Sequence, residues 1–503
     1  MGVRSSMRRS DIPGYAANAG LGAAFAALLA TLAFALGQPE PNAVAGSSGL
    51  RAIIQVDIVS ISMLLLVNFV GAIVLRYART YLDGEARQDS FMGWVSLTLA
   101  SVSILVVSAN LIVFVIAWIA TSVFLHQLLL FYPQRIAARR AAFKKFVFAR
   151  AGDAALIGAA VLLWSTYNTI DISTINAAAR LGEADTKITI AAILFALAAI
   201  LKSAQFPTHS WLTEIMDTPT PTSALLHAGV VNGGGFLLIR FADVLLLSPG
   251  TMAFIAMIGG FTALFGSVVM LTQPAVKTSL AWSTVAQMGF LIMQCGLALF
   301  PLALLHIIAH SLYKAHAFLA SGGAVQRIAN TRRPGPVAIA NLRTVTLSFL
   351  LAITIYGLLA FGFGLTKEAP QSIALGAILI FGIAYLLTQG LAEEAPKPLT
   401  RRLVAYSIAA SLSYVLLHKG AIWLTHDVLP ITPAPGALEW VLMIMAVLSF
   451  AFVAFAQAMF PLWAYHPAAA GMRVHVSNGL YVNALLDRIM KSWRSSSKSI
   501  TQQ

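Results

Sequence analysis

The sequence predicts an all-α protein that crosses a membrane many times. Its 503 residues are 58% hydrophobic and only 10% charged, and its mean hydropathy is +0.81. Soluble domains carry far more charge. Apolar runs of about 20 residues, the length of helix that crosses a bilayer, recur along the whole chain. Because a chain inside lipid must satisfy its own backbone hydrogen bonds, we expect these runs to be helices.

From these runs we predict about fourteen transmembrane helices within a single transmembrane domain, residues 1–503. The runs lie near residues 15–36, 54–78, 91–108, 110–131, 146–166, 188–212, 222–247, 252–272, 279–299, 302–324, 343–366, 372–391, 403–424 and 438–464. The first run is too long for the apolar part of a cleaved signal peptide, so we expect it to remain as a span.

Basic residues fall in alternate loops and in the tail. They are Arg4, Arg8, Arg9, Arg135, Arg139, Arg140, Lys144, Lys145, Arg327, Arg332, Arg333, Lys397, Arg401, Arg402, Arg473, Arg488, Lys491, Arg494 and Lys498. The opposite loops, around 37–50, 248–251 and 425–437, contain almost no Lys or Arg. By the positive-inside rule, both termini then lie in the cytoplasm. The same rule accounts for the net charge of +14, which we do not attribute to nucleic-acid binding.

The stretch Leu201–Arg240 contains ionisable and helix-breaking residues, whose burial in a bilayer is energetically unfavourable. Lys202 ends an apolar run at membrane depth, and Pro207 predicts a break or kink in its helix. A polar link follows, and then a helix that carries His227. Cations, broken helices and histidines in a bilayer mark ion or proton pathways by default. The alternatives are a lysine that snorkels to the interface and a histidine that belongs to the core.

A second cluster lies in LLHIIAHSLYKAHAFLASGG. His306, His310 and Lys314 recur at four-residue spacing and share one helix face, whereas His316 points elsewhere. Three titratable groups on one intramembrane stripe favour a relay. A zinc site is less favoured, because the HxxxH pair lacks a Glu or Cys partner. The SGG run that follows predicts a second break, and paired interruptions indicate inverted repeats with the site between them.

A charged pair lies in FVFARAGDAAL. Arg150 and Asp153 are three residues apart, so they can pair on one helix face. A structural ion pair that only neutralises both groups is the simpler interpretation.

These motifs resemble a known family. The runs KSAQFPTHSWL and TPTPTSALLHA are similar to those of the antiporter-like membrane subunits of NADH-quinone oxidoreductase (complex I) and Mrp antiporters. The stretch HSWLTEIMDTPTPTSALLHAGVVNGGGFLLIR and the tail RVHVSNGLYVNALLDR most resemble the DabB branch. The resemblance implies an antiporter-like core at about 54–330, divergent helices at 343–464, and a cytoplasmic or interfacial tail at 465–503. The amphipathic part of the tail is expected to lie on the membrane surface or on a partner.

The same resemblance implies roles for individual residues. Lys202 falls on the family's relay lysine, and His227 falls on the histidine of its SALxHA motif. Arg150 and Asp153 match its R-x-G-D run, and the stripe from His306 to Lys314 matches a stripe of the family.

One position departs from the family. In the proton-pumping relatives a glutamate follows the tryptophan that corresponds to Trp118, but this chain has Ile119. The relay lysine therefore lacks its usual carboxylate. His126, seven residues on, and Asp153 are candidate substitutes. Glu214 and Asp217, in the link between the two half-helices, are possible accessory residues.

The resemblance implies a non-enzymatic membrane subunit of an inorganic carbon pump in the inner membrane of a bacterium. A cation, H⁺ or Na⁺, would drive CO2 hydration and bicarbonate accumulation by a DabA-type cytoplasmic partner with a carbonic-anhydrase-like zinc site. We expect no cofactor or metal in this chain itself. One alternative is a pumping subunit of complex I or of an Mrp antiporter. Another is a passive membrane anchor for a soluble enzyme.

Overall fold

The computed structural model describes residues 11–37, 53–323, 341–391, 397–459, 463 and 466–490. Within these residues the regular structure is helical, apart from two isolated β-bridges. The helices, numbered in chain order, are α1 (Ile12–Gly37), α2 (Ile58–Tyr81), α3 (Gln88–Val106), α4 (Leu111–Leu129), α5 (Ile136–Tyr167), α6 (Ile172–Leu181), α7 (Thr186–Lys202), α8 (Ser210–Thr213), α9 (Thr220–Ala228), α10 (Gly233–Arg240), α11 (Ala242–Leu246), α12 (Pro249–Met270), α13 (Val276–Gly296), α14 (Phe300–Ala320), α15 (Leu342–Gly362), α16 (Pro370–Leu391), α17 (Lys397–Thr425), α18 (Ala437–Ala458), α19 (Ala470–Ser477) and α20 (Val482–Ile489).

The predicted all-α membrane fold is confirmed. In the described part of the chain, 12 spans are long and apolar enough to cross a membrane, with α9 and α10 together forming one of them. The two other predicted spans are also helices. One is α7, whose 17 residues extend for about 25 Å, somewhat less than the apolar thickness of a bilayer. The other is α13, which carries polar residues such as Gln287 and Gln294.

The interruption predicted near Pro207 is present. Helix α7 begins at an Asp185 cap, whose side chain accepts a hydrogen bond from the backbone N–H of Thr186, and it ends at Lys202. Ala204 then has a φ of 50°, which turns the chain away from the helix axis. Residues 203–219, which we call the linker, contain only the short helix α8 and one 3₁₀ turn. Because α7 stops five residues before Pro207, Lys202 lies at a helix end.

A further interruption was not predicted. The run expected to be one helix over 222–247 is divided at Gly229, and a 3₁₀ turn at Val230–Asn232 joins its two halves. Helix α14, by contrast, continues without a break through His306, His310 and Lys314. The interruption predicted after this stripe lies at the C-terminal end of α14, where Ser321–Gly323 form a 3₁₀ turn.

The placement of Lys144 and Lys145 in a loop is wrong. Helix α5 begins at Ile136, ten residues earlier than predicted, and both lysines lie on it. Both are also buried. The loop 130–135, the linker, the loop 271–275 and the tail 466–490 lie on one side of the helices, which we call the basic face.

Small residues set the closest helix contact. Helices α12 and α13 approach so nearly that a Cβ on Gly259 or Gly289 would collide with the backbone of the other helix. Contacts of this kind are typical of membrane helices, where packing replaces the hydrophobic effect between helices. The same principle joins α5 and α7, where a Cβ on Gly152 would lie 3.6 Å from Leu201 and a Cβ on Gly158 would lie 3.1 Å from Leu194.

The hydrophobic core has several parts. The main cluster extends from α2 to α14, and a separate cluster joins α15, α16 and α17. A third cluster connects α12–α14 with α16 and α18. The division into a core at 54–330, helices at 343–464 and a tail stays a prediction.

A larger residue at the α12–α13 contact should destabilise the fold. We expect Gly289→Val to lower the apparent melting temperature of the detergent-solubilised protein, because overpacking costs about 1–3 kcal/mol. Gly357→Val is the matched control, since no atom lies within 4 Å of a Cβ at Gly357. Equal melting curves for the two variants would contradict this packing.

Candidate ion-relay site

Lys202 lies at the centre of the candidate site. Its ammonium donates a hydrogen bond to Ser122 Oγ at 2.9 Å and lies 3.5 Å from the carbonyl oxygen of Trp118. It also lies 4.2 Å from the centroid of the Trp118 ring. A cation over an indole ring is stabilised by the quadrupole of the ring. Lys202 therefore has an acceptor and an aromatic partner, and within the described residues no salt bridge joins it to a carboxylate.

Asp153 supplies the negative charge of this region. Its Oδ2 lies 2.6 Å from Nη2 of Arg150, so the predicted pair is formed. The charges of Arg150, Lys145 and Lys202 all act on this one carboxylate. The Lys145 ammonium donates to the backbone carbonyl oxygen of Ser122, so Lys145 and Lys202 contact the same residue. One buried carboxylate thus partly neutralises the charge of three cations.

A cavity of about 40 Å³ begins at Lys202. Its wall is mostly aliphatic, but Thr121, Lys202, Asn232 and Ser311 also line it. The break at Gly229 contributes to this wall, so the interruption of the helix creates part of the space. A water needs about 10–15 Å³ and two to four polar partners, so the cavity has room for about three waters.

The far side of the cavity leads to the histidine stripe. Asn232 Nδ2 donates to Ser311 Oγ at 2.9 Å and to the carbonyl oxygen of Ala228 at 3.1 Å, whereas Asn232 Oδ1 has no protein partner. His310, adjacent to Ser311 in the chain, has Nε2 at 3.1 Å from the carbonyl oxygen of His227. The cavity therefore separates Lys202 from a polar network that begins at Asn232.

The stripe on α14 has the predicted geometry. The rings of His306 and His310 have centroids 5.9 Å apart, and His306 Nδ1 is 2.8 Å from Gln294 Oε1. The Lys314 ammonium, also buried, donates to Ser283 Oγ at 2.7 Å. His316, which was predicted to point away from the stripe, is exposed.

The His227 side chain is fully buried and lies against the stripe helix. Its ring stacks on Phe318 at 4.3 Å, and neither ring nitrogen has a protein partner. The charge of Lys314 acts on it.

The comparisons with known proteins identify the family of the chain. Residues 108–366 match the family described as NADH:quinone oxidoreductase/Mrp antiporter, transmembrane, and residues 44–92 match the complex I chain 5 N-terminal family. The chain is 38% identical over 477 residues to a probable inorganic carbon transporter subunit DabB2 of Halothiobacillus neapolitanus, covering 92% of this chain and 85% of that protein. It is 43% identical over 281 residues to a probable DabB subunit of Hydrogenovibrio crunogenus, covering 56% of this chain and 54% of that protein. The chain belongs to the NADH:quinone oxidoreductase/Mrp antiporter family, in its DabB branch.

Solved structures show the same fold. A chain of the Mrp complex from a Dietzia species has a TM-score of 0.60 at 21% identity, over 98% of this chain and 60% of that one. A chain of an archaeal membrane-bound sulfane sulfur reductase has a TM-score of 0.58 at 16% identity, over 95% and 94% of the two chains. At these identities the likeness concerns the fold alone.

The position at which this DabB-branch chain is expected to differ from the pumping members is Ile119. Ile119 packs against the main core, whereas Trp118 and Ser122 face Lys202. His126 lies beside Phe146 at 5.5 Å between ring centroids, in the field of Lys145 and Arg150. Its neighbours are thus cations. Asp153, by contrast, is a carboxylate, and its negative charge acts on the Lys202 ammonium.

The accessory acids lie elsewhere. Glu214 contacts Lys144 on the basic face, at 2.6 Å. The Asp217 side chain lies outside the described residues. No group of three His, Cys, Asp or Glu side chains that could hold a metal ion occurs among the residues that the structure describes.

Sequence reasoning missed several polar residues. Ser122 accepts the hydrogen bond of Lys202, and Lys145 donates to the backbone of the same Ser122. The two lysines at 144 and 145 come directly before an apolar run, where they are hard to distinguish from the end of a loop. A further pair joins α17 to the turn before α16. His418, fully buried, contacts Glu368, and Lys419 contacts the other oxygen of the same carboxylate at 2.6 Å. These residues are 50 positions apart, and no local pattern links them.

Removal of the Asp153 charge should destabilise the protein. Asp153→Asn leaves Arg150, Lys145 and Lys202 without a carboxylate, and breaking a buried ion pair costs about 3–5 kcal/mol. We expect the lower end of that range, because the Arg150 side chain is 36% exposed. Thermal unfolding of the purified protein measures the effect. Asp427→Asn, at a side chain that is 63% exposed, is the control and should behave as wild type.

Proposed function

We propose that this chain is the ion-conducting membrane subunit of an energy-coupled inorganic carbon transporter. It lies in the inner membrane of a bacterium, with the basic face and both termini in the cytoplasm. The arginines Arg135, Arg139 and Arg140 at the start of α5, and Arg473 and Arg488 in the tail, support this orientation. The curated relatives named as probable inorganic carbon transporter subunits support the substrate class. The first ten residues and the last thirteen lie outside the described residues.

The observation that carries the proposal is the cavity between Lys202 and the stripe helix. A proton on Lys202 passes through water in the cavity to the Asn232–Ser311 pair and on to His310. His306 and Lys314 extend the line in the two directions along α14. The negative charge of Asp153 stabilises Lys202 while it carries the proton. Intramembrane ionisable groups in a continuous line of this kind are expensive unless they conduct.

The chemistry of the line favours H⁺ over Na⁺ as the ion. Sodium, like other hard cations, prefers oxygen ligands such as carboxylates and carbonyls. The proposed line consists mainly of lysine amine and histidine imidazole groups, which exchange protons and are not the oxygen ligands that Na⁺ prefers. An uptake assay in which the H⁺ gradient and the Na⁺ gradient are collapsed separately distinguishes the two ions.

The carbon chemistry is assigned to a partner. We infer a DabA-type cytoplasmic protein with a carbonic-anhydrase-like zinc site, bound on the basic face. Zinc lowers the pKa of its bound water to about 7, which allows hydration of CO2 at neutral pH. The ion gradient would drive that hydration in one direction. This chain would supply the energy and would itself catalyse no reaction.

Two other functions are less supported. A pumping subunit of complex I or of an Mrp antiporter would keep a glutamate where this chain has Ile119. A passive anchor would have no need for Lys202, His310 and Lys314 in the membrane, because buried charges lower stability unless they are paired.

Replacing Lys202 should abolish energy-driven uptake. We expect Lys202→Ala to reduce the uptake of labelled inorganic carbon to background in cells that depend on the complex, because the first proton-binding group of the relay is lost. Lys187→Ala, at an exposed lysine of the same helix, is the matched control. Blue-native electrophoresis shows whether the complex still assembles. Normal uptake by an assembled Lys202→Ala complex would contradict the proposal.

The partner can be identified directly. Affinity purification in mild detergent, followed by mass spectrometry, should recover one large soluble zinc protein. Recovery of quinone-oxidoreductase or antiporter subunits would replace the carbon-transport proposal with the pumping alternative.

A further inference from the structure

The C-terminal tail makes specific contacts with the basic face of its own chain. Asn483 Nδ2 lies 3.4 Å from Thr213 Oγ1 of the linker, and Gln273 donates to the carbonyl oxygen of Ser477 at 3.1 Å. Gly479, with a φ of 58°, lies against Trp282, where a Cβ would come within 3.2 Å of the ring. The tail was expected on the membrane or on a partner, yet one of its sides binds the linker.

A single buried ammonium joins the tail to two other elements. Lys144 Nζ on α5 lies 2.6 and 2.8 Å from the two oxygens of Glu214, in the linker, and 2.7 Å from Oδ1 of Asp487, in α20. Arg140 Nη1 lies 3.3 Å from the other Asp487 oxygen. The Lys144 side chain is 0% exposed, so its charge depends on these two carboxylates. Burial raises the pKa of Glu214, an effect that the paired Lys144 opposes and the charge of Asp487 reinforces.

The elements so joined are the ones that carry the relay. Helix α5 bears Lys144 next to Lys145, whose ammonium contacts Ser122, the acceptor of the Lys202 hydrogen bond. The linker that bears Glu214 connects the end of α7, at Lys202, with the helix that carries His227. A displacement of the linker relative to α5 would therefore change the contact of Lys202 with Ser122.

We propose that Asp487 is a positioning residue for the relay: through Lys144 and Glu214 it holds the linker against α5 and thereby fixes Lys202 on Ser122. This inference rests on the proposed function. The three-residue cluster of Asp487, Lys144 and Glu214 is called the latch below. Through the latch, the tail of this chain, rather than a partner subunit, positions the cytoplasmic end of the relay.

Charge variants of Asp487 test the latch. We expect Asp487→Asn to lower inorganic carbon uptake about tenfold in the assembled complex, because misplaced reacting groups lose rate. Its pH profile should also differ from that of wild type, because Lys202 is then no longer held on Ser122. Asp487→Glu keeps the charge and should retain the rate and the profile. Asp427→Asn, on an exposed loop, makes the same chemical change away from the latch.

A charge exchange and a cross-link separate positioning from folding. The double variant Lys144→Asp with Asp487→Lys again has one ammonium and two carboxylates, and it should recover uptake relative to Asp487→Asn. In a Cys295→Ser background, cysteines at Thr213 and Asn483 should form a disulfide under mild oxidation if the tail lies across the linker. Their cross-linking yield should fall when Asp487→Asn is added.

Two results would overturn the latch. One is an Asp487→Asn complex with the uptake and pH profile of Asp427→Asn. The other is failure of the cysteine pair to cross-link. If Lys202→Ala is inactive and Asp487→Asn is normal, only the latch is lost, whereas normal uptake by Lys202→Ala removes the proposed function itself.

Discussion

The structure depends on the burial of the Lys202 ammonium, which among the described residues has no carboxylate in direct contact. In hydrocarbon an isolated ammonium is very costly. Here the cost is lowered by the hydroxyl of Ser122, the ring of Trp118 and the more distant charge of Asp153. Such partners stabilise an ammonium less than a contacting carboxylate would. A lysine held in this way is suited to gaining and losing a proton.

The interruptions of the helices follow from the same constraint. Because α7 ends at Lys202, the ammonium reaches α4 rather than lipid. The second interruption, at Gly229, opens the space that the cavity occupies, and it brings Asn232 to Ser311. Irregular backbone at membrane depth occurs where it lines such a space. The linker between the broken segments is then the part that needs support, and the tail contacts it.

Most of the helices and most members of the stripe were predictable from the sequence, because apolar length and four-residue spacing are local patterns. The break near Pro207 was predictable for the same reason. Lys144 and Lys145 were not, because a rule that assigns basic residues to loops cannot detect a helix that extends beyond the apolar run. The tail contact and the Glu368–His418 pair join residues far apart in the chain, and amphipathic patterning shows only that a face is apolar. The departure at Ile119 was inferred from the family resemblance, but the structure was needed to show that the charge of Asp153 acts on Lys202.

The central claim is that water in the cavity joins Lys202 to the stripe helix. The most direct measurement is a high-resolution cryo-electron microscopy map of the assembled complex in a lipid nanodisc. We expect ordered water density in the cavity, within hydrogen-bond distance of Lys202 Nζ and of Asn232 Oδ1. A cavity that is dry, or filled by a side chain or a lipid tail, would contradict it.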